Sequence, residues 1–183
     1  TTSTSTNKTT GIVTETTKKP DGSEITVETQ PDGSREIAVK QADGIAATIR
    51  MDQDGRATAD VTLPGQVVGA AQESGKIVSL PLPPMVSERG NTSTVTVHTG
   101  SPHPVKVKVP AVQLSSGTVA VIVREDGSEE VIRASVSAAD GIIAAVADGE
   151  IVKLLDNSKD FFDVSSHWAE EAIQFVAARE LFS

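Results

Sequence analysis

Residues 20–63 read PDGSEITVETQPDGSREIAVKQADGIAATIRMDQDGRATADVTL. Asp-Gly occurs four times in this stretch at a constant interval of eleven residues, as Asp21-Gly22, Asp32-Gly33, Asp43-Gly44 and Asp54-Gly55. Asp-Gly between short runs of β-prone residues is the strongest short-range signal for a β-hairpin. Four such pairs at one interval therefore predict an up-and-down meander of short strands.

Apolar and polar residues alternate along this stretch, and the alternation also predicts the length of the turns. Most of the apolar residues have odd numbers, as in Ile25, Val27, Ile37, Val39, Ile45, Ala47, Ile49, Met51, Ala57, Ala59, Val61 and Leu63. A period of two is typical of a sheet with one buried face. Facing residues of a hairpin share a face, so an unchanged parity requires loops with an odd number of residues. Three-residue loops, each a type I turn followed by a glycine at positive φ, meet this condition. The predicted strands are 12–19, 23–30, 34–41, 45–52 and 56–63.

Beyond Pro64-Gly65, short apolar runs between turn signals predict further strands. Residues 67–73 allow a helical turn that Gly75 would stop. Valines alternate with lysines over residues 105–109, which predicts an edge strand ended by Pro110. The nearly continuous apolar run 118–123 predicts a strand that is buried on both faces. The other predicted strands are 77–80, 94–98, 129–136, 142–146 and 150–155.

The expected fold class is mainly β: a repetitive β-hairpin meander followed by a β-sandwich-like domain, with a short C-terminal helix. We predict a Ser/Thr-rich linker over 1–11, the meander over 12–64 and the sandwich-like domain over 65–157. A fourth region, 158–183, begins a helix, with Ser166 as its N-cap and Glu170 and Glu171 in its first turn. The chain starts TTSTST without Met, so we expect a piece of a longer protein.

Composition excludes several classes of function. The formal net charge is −9 at pH 7, which argues against nucleic acid as a partner, because nucleic-acid binding needs a basic surface. There is no cysteine, so structural disulfides and thiolate metal sites are excluded. We also expect no membrane insertion, because no apolar run is long enough to span a bilayer.

No catalytic, cofactor or metal motif occurs in the sequence, and we expect a protein that is not an enzyme and has no cofactor. His98 and His103 flank a short loop and could share a metal with an acid, although lone surface histidines are commoner than ligands. The turn aspartates lack the Asp-x-Asp-x-Asp-Gly pattern of a calcium loop, and turn chemistry explains them. Neither Ser115-Ser116-Gly117 nor Ser165-Ser166 lies in the Gly-x-Ser-x-Gly pattern of a hydrolase nucleophile.

The C-terminal residues carry a family resemblance. They are Phe161-Phe162-Asp163-Val164, His167-Trp168-Ala169, Ala172-Ile173 and Ala178-Arg179-Glu180-Leu181-Phe182. This tail resembles the opening of an S-layer homology domain, which begins with a Phe-x-Asp-Val turn and a helix that opens on His-Trp-Ala. Residues 104–110, 117–130 and 152–159 are similar to β regions that precede such modules in surface proteins of Gram-positive bacteria.

The resemblance implies an extracellular location, in the cell wall or S-layer of a Gram-positive bacterium. S-layer homology modules anchor proteins by binding wall polysaccharide, largely through a Thr-Arg motif after the first helix. The sequence ends before that motif, so no binding residue is carried over. The resemblance makes Trp168 a core residue of a helical domain; the alternative is an anchor for a binding partner.

These observations predict a non-catalytic structural spacer or adhesin-like region that displays a partner domain next to wall-anchoring modules. Such a region could also self-associate through its strand edges. The alternative is a carbohydrate- or protein-binding β-sandwich module of a surface protein or surface enzyme. With one tryptophan and no tyrosine, a carbohydrate site would have to be a polar cleft.

Overall fold

The computed structural model describes residues 1–86, 93–159, 161 and 167–181. Over these ranges the chain is mainly β, as predicted, with two short helices. The strands are β1 Thr2–Thr6, β2 Val13–Lys18, β3 Glu24–Thr29, β4 Arg35–Lys40, β5 Ala46–Met51, β6 Ala57–Thr62, β7 Val78–Ser79, β8 Met85–Val86, β9 Thr94–His98, β10 Val105–Val112, β11 Thr118–Val123, β12 Glu129–Val131, β13 Val136–Ala138, β14 Gly141–Val146 and β15 Glu150–Asp156. The helices are α1 Gly65–Ser74 and α2 Glu170–Ala178.

The predicted meander is confirmed. Strands β2 to β6 pair antiparallel in sequence order, and each lies within one residue of its predicted bounds. Facing residues such as Lys18 and Glu24 have numbers that add to an even sum, so odd-numbered residues stay on one face. The parity argument therefore fixed the register of five strands without any long-range information.

The predicted three-residue turns are also confirmed. In the first hairpin the N–H of Lys19 donates to the carbonyl of Ser23 at 2.8 Å, and the N–H of Gly22 donates to the carbonyl of Lys19 at 3.1 Å. The same pattern closes the next three hairpins and the β11–β12 turn. Gly22 and Gly33 have φ values of 88° and 89°, the conformation that an L side chain disfavours.

The turn aspartates are held by their own turns. The Oδ1 atoms of Asp21 and Asp32 each accept the N–H two residues later at 2.9 Å, and Asp43 does so at 3.1 Å. At the fourth hairpin the acceptor is Asp52 rather than Asp54. The turn geometry therefore accounts for these carboxylates, since a short polar side chain stabilises the turn it begins.

Residues 1–11 differ from the predicted linker, because they contain β1. This strand pairs antiparallel with β2 across a loop closed by the N–H of Asn7, which donates to the carbonyl of Ile12 at 2.9 Å. All five side chains of β1 are exposed, so backbone hydrogen bonds hold it in place. An argument from buried apolar residues could not find such a strand.

The strands form two sheets. The first has ten strands in the order β1-β2-β3-β4-β5-β6-β9-β15-β11-β12, and the second has the order β13-β14-β10-β7, with β8 also on β10. The parallel pair β6–β9 carries the first sheet across residue 64, so the predicted meander and the sandwich-like region share one sheet.

The position of β10 corrects one prediction. Residues 105–109 were expected to form an edge strand, but β10 lies between β14 and β7. Pro110 does not end it either: the strand continues to Val112, and Pro110 faces Gly141. Ala111 donates its N–H to the carbonyl of Asp140 at 3.1 Å, so the nitrogen of Pro110 points away from β14. Proline is tolerated there because β7 pairs with β10 only as far as Lys108 and β8 only from Ala111 onward. The partners come from distant parts of the chain, so local alternation could not distinguish a central strand from an edge.

Smaller differences concern strand length. Within the predicted strand 129–136, β12 ends at Val131 and β13 begins only at Val136. Helix α1 and its stop at Gly75 are confirmed, and Gly75 adopts a φ of 67°. The strand 118–123 is confirmed as β11, and its first four residues are buried.

The main core lies between the second sheet and one face of the first sheet, which holds the odd-numbered residues of the meander and β9 and the even-numbered residues of β15 and β11. Ile49, Val61 and Val95 from the first sheet meet Val107 and Ile142 from the second, and each is at most 1% exposed. Helix α1 adds Val68 and Ala71. The same face of β2 to β4 is only half-buried, and the chain therefore forms a two-layer sandwich that continues into a thinner sheet.

Candidate interaction surface

The histidines of the described residues are dispersed. His98 Nε2 lies 3.8 Å from a carboxylate oxygen of Asp60, and the backbone carbonyl of His103 accepts a hydrogen bond from Gln72. His167 accepts the N–H of Ala169 through Nδ1. Across the part of the chain that the structure describes, no three His, Cys, Asp or Glu side chains come together as a metal site would require.

Of the serines singled out in the sequence, Ser115 and Ser116 lie within the described residues and have structural contacts. The Ser115 hydroxyl lies 3.2 Å from that of Thr118, and the Ser115 N–H donates to the same hydroxyl at 2.9 Å. These bonds close the turn that leads into β11. Ser165 and Ser166 lie outside the described residues, and so does the predicted N-cap. The predicted acidic first turn of α2, Glu170 and Glu171, is confirmed.

The polar face of the meander carries a chain of alternating charges across neighbouring strands. Arg50 on β5 contacts Glu36 on β4 at 3.1 Å and Asp60 on β6 at 3.6 Å. These groups adjoin an open groove of about 440 Å³ at the end of the strands, which Gln30, Arg35 and other polar residues line. The groove offers both hydrogen-bond donors and acceptors, and none of its lining residues is aromatic.

Helix α2 packs on the opposite face of the first sheet from the second sheet. Its Ala178 is buried against Val119 and Val121 of β11. The side-chain amide of Asn157, just after β15, donates to the carbonyl of Ala178 at 2.6 Å. The end of the helix therefore packs directly on the first sheet.

Arg179 holds the end of this helix. Its side chain is fully buried, and its guanidinium donates to the backbone carbonyls of Ser135, Ser116, Phe175 and Thr118 at 2.7 to 3.2 Å. The guanidinium carbon also lies 3.7 Å from the centre of the Phe175 ring. Burial lowers the pKa of Arg179, because a charged group loses solvation there. The four carbonyls offset that loss with hydrogen bonds to the charged form.

Trp168 does not occupy a core position of the described chain. Its side chain is 91% exposed and lies beside the His167 ring. Within the described residues this side chain therefore lies on the surface, and the core position that the resemblance implies stays a prediction. The helix instead uses Ala178 and Arg179 to contact the sheet, and Trp168 precedes its first turn.

The strand edges of the described residues differ strongly from one another. Edge strand β12 has three residues, and its Glu129 and Glu130 form ion pairs with Lys153 and Arg124. Strands β7 and β8 have two residues each, with prolines between them, and β13 has three. Short, charged or proline-flanked edges resist pairing with other chains. Strand β1, with five uncharged residues, has none of these protections.

The sequence analysis did not predict the structural roles of several of these residues. Only some of them lie in a sequence pattern from which the role could have been predicted. Gly11 lies eleven residues before Gly22, in phase with the repeat, and has a φ of 72°. That phase could have predicted a turn before β2, and hence β1. Asp148 accepts the N–H groups of Thr99 and Gly100 at 2.7 and 2.9 Å, a contact that no local pattern indicates.

Comparison of the chain with protein-family models, with curated proteins and with solved structures found no match. Among the described residues, neither helix has the length and apolar character needed to span a membrane.

Proposed function

We propose that this chain is a non-catalytic structural spacer of a cell-envelope protein, which holds a partner domain at a distance from wall-anchoring modules. The observation that carries the proposal is the single ten-stranded sheet, in which each strand is hydrogen-bonded to the next. Neighbouring strands lie about 4.8 Å apart, so the nine steps from β1 to β12 span about 43 Å. The repeated hairpins contribute to this length, and each added strand with its turn takes only eleven residues.

The packing of α2 supports the same role. Arg179 and Asn157 join the helix to the sheet through backbone carbonyls, so a module that follows the helix would leave the sheet in a fixed direction. The resemblance of residues 161–183 to an S-layer homology domain supports wall polysaccharide as the partner of such modules. It also supports an extracellular location in a Gram-positive cell wall.

The spacer role predicts one well-defined distance along the sheet. The chain has no cysteine, so Thr9→Cys in the β1–β2 loop and Glu125→Cys in the β11–β12 turn would accept two spin labels without competition. Double electron–electron resonance, with the labelled protein diluted into unlabelled protein, should give one narrow distance distribution. A pair at Ala42→Cys and Glu125→Cys, which samples only part of the sheet, is the control. A broad distribution for the long pair, with a narrow one for the control, would mean a flexible tether and would overturn the spacer role.

A second candidate function is a carbohydrate- or protein-binding module, and the groove beside Arg50 favours it. Its mixture of donors and acceptors suits the hydroxyl groups of a glycan more than an apolar ligand. Purified Gram-positive cell walls, incubated with this chain alone, test the idea. Binding that Arg50→Ala weakens and Arg124→Ala does not would favour the binding module, and no binding at high protein concentration would count against it.

A further inference from the structure

Asp-Gly occurs seven times in the sequence, and all seven pairs lie within the described residues. An aspartyl side chain reacts most readily with its own backbone when glycine follows it. The glycine nitrogen attacks Cγ of the aspartate, and no Cβ on the glycine obstructs the approach. The reaction therefore depends on whether the carboxyl group can turn towards that nitrogen.

Hydrogen bonds hold the carboxylates of six of these pairs. Oδ1 of Asp32 accepts the N–H of Ser34 at 2.9 Å and its hydroxyl at 2.7 Å, and Oδ1 of Asp126 has the same two contacts with Ser128. These contacts also lower the pKa of both aspartates, so less of each is in the neutral form that can lose a hydroxyl. The other held carboxylates are Asp21 and Asp43, which each accept an N–H of their own turn, Asp148, which accepts two N–H groups, and Asp140, which accepts Nζ of Lys108.

The carboxylate of Asp54 is held less firmly. Here Oδ1 of Asp52 accepts the N–H of Asp54 at 2.9 Å and the N–H of Arg56 at 2.8 Å. Within the described residues, the carboxylate of Asp54 contacts Arg56 in an ion pair of 3.5 Å, and the side chains of these two residues are 74% and 62% exposed. Ion pairs between exposed side chains are weak. Gly55 also has open space around its Cα, so the carboxyl group of Asp54 has room to rotate.

The repeat itself explains the difference. Asp52 occupies the position that Lys19, Gln30 and Gln41 have in the earlier hairpins. A carboxylate accepts stronger hydrogen bonds than a neutral amide does. Asp52 therefore takes the N–H group that the aspartate of the Asp-Gly pair accepts in the other three hairpins.

We propose that Asp54-Gly55 is a modification site, at which the folded chain converts aspartate to isoaspartate in preference to its other Asp-Gly pairs. The nitrogen of Gly55 forms a bond to Cγ of Asp54, and the carboxyl hydroxyl leaves with the N–H proton as water. Water then opens the cyclic imide. Attack at Cγ breaks its bond to nitrogen and restores aspartate, whereas attack at the backbone carbonyl carbon breaks that bond to nitrogen and gives isoaspartate. The water lost is regained, so the step needs no other reactant.

The product would change the fourth hairpin. In isoaspartate the main chain runs through Cβ and Cγ, which lengthens the loop. The loop is now closed by the N–H of Asp52, which donates to the carbonyl of Arg56 at 3.0 Å. The strand that follows, β6, is the one that pairs with β9. Isoaspartate would therefore weaken the sheet where the meander joins the sandwich, whatever the function of the chain.

Timed incubation of the folded chain at mildly acidic pH tests the proposal. Proteolysis and mass spectrometry with electron-transfer fragmentation then measure isoaspartate at each Asp-Gly pair. It should form at Asp54 at least about tenfold faster than at Asp32, where a hydrogen bond to a charged group must first break. In concentrated urea the two rates should become similar, because glycine follows both aspartates and the turns are lost. Equal rates in the folded chain, or the same preference in urea, would overturn the proposal.

Two reciprocal variants test the cause. Asp52→Gln gives the fourth hairpin the residue of the second and third, and it releases the N–H of Arg56 for Asp54. Isoaspartate formation at Asp54 should then slow to the rate at Asp32. Gln30→Asp makes the opposite change and should speed the reaction at Asp32. Unchanged rates in both variants would contradict the proposal, because the residue at this position would then have no influence on the reaction.

Discussion

The guanidinium of Arg179 donates a 2.7 Å hydrogen bond to the backbone carbonyl of Ser135, forty-four residues earlier in the chain. Ser135 lies between β12 and β13, so this contact ties the end of α2 to the place where the chain passes from the first sheet to the second. A buried cation is stable only where hydrogen bonds replace its water, and backbone carbonyls do so here. The contact makes the C-terminal helix depend on the β structure.

Arg179→Ala should detach α2 from the sheet. The substitution removes the guanidinium donor from four backbone carbonyls, including the buried carbonyl of Ser135, at a cost of about 3 kcal/mol for the docked helix. Hydrogen exchange should then show a loss of protection in α2, with β2 to β6 unchanged. Arg179→Lys reaches fewer carbonyls and should give an intermediate loss. Unchanged protection of α2 in Arg179→Ala would mean that Ala178 and Asn157 hold the helix without it.

The turn glycines should differ in their tolerance of a methyl group. Gly33 has a φ of 89° and open space around its Cα, so Gly33→Ala should cost about 1 kcal/mol through backbone strain alone. At Gly44 an added Cβ would also lie 3.1 Å from Cγ of Pro64, so Gly44→Ala should cost more. Gly69→Ala, in helix α1, is the control and should stabilise by about 0.5–1 kcal/mol. Urea unfolding of the three variants measures this order, and equal effects at Gly33 and Gly69 would contradict it.

Truncating an apolar side chain should lower the free energy of unfolding more where the second sheet covers the first than where the first sheet is uncovered. Ile49 is 1% exposed beneath the second sheet, so Ile49→Ala should cost about 2–5 kcal/mol. Ile25, on the same face of the sheet, is only half-buried on β3, and Ile25→Ala should cost less than half as much. Chemical unfolding of both variants gives the ratio. Similar costs at the two sites would mean that β3 is covered as well as β5 is.

Stability should fall in acid because several carboxylates accept backbone hydrogen bonds. The N–H groups of Gly100 and Thr99 lower the pKa of Asp148, and contacts with Ser34 lower that of Asp32. A carboxyl with a lowered folded pKa contributes stability that is complete above its unfolded pKa, near 3.8, and is lost as the pH falls through the folded value.

Asp148→Asn tests this pH dependence at one site. The amide oxygen can still accept the two N–H groups, but it does not titrate, so the variant should lose less stability than the wild type below about pH 4. Urea unfolding at neutral and acid pH measures the difference. Thr58→Asn, on the exposed face of β6, should leave the pH dependence unchanged. Parallel pH profiles for wild type and Asp148→Asn would show that this carboxylate does not couple folding to protonation.

Local chemistry made much of the meander predictable. The turns need a residue at positive φ, and glycine supplies it, so the spacing of Gly22, Gly33 and their successors sets the strand lengths. Odd loops keep one parity of side chains on one face. Neither argument needs a distant residue, and for that reason both agreed with the structure. Strand β1 was not predicted because its side chains are exposed, and backbone hydrogen bonds to β2 hold it in place.

The amino-acid sequence by itself determined the turns, the register and the apolar face of strands β2 to β6, since those depend on residues a few positions apart. Only the tertiary structure decided that β6 pairs parallel with β9, that β10 is central, and that Arg179 is buried. Each of these depends on which surfaces meet after distant segments come together, and that choice is made by packing and by the pairing of backbone groups.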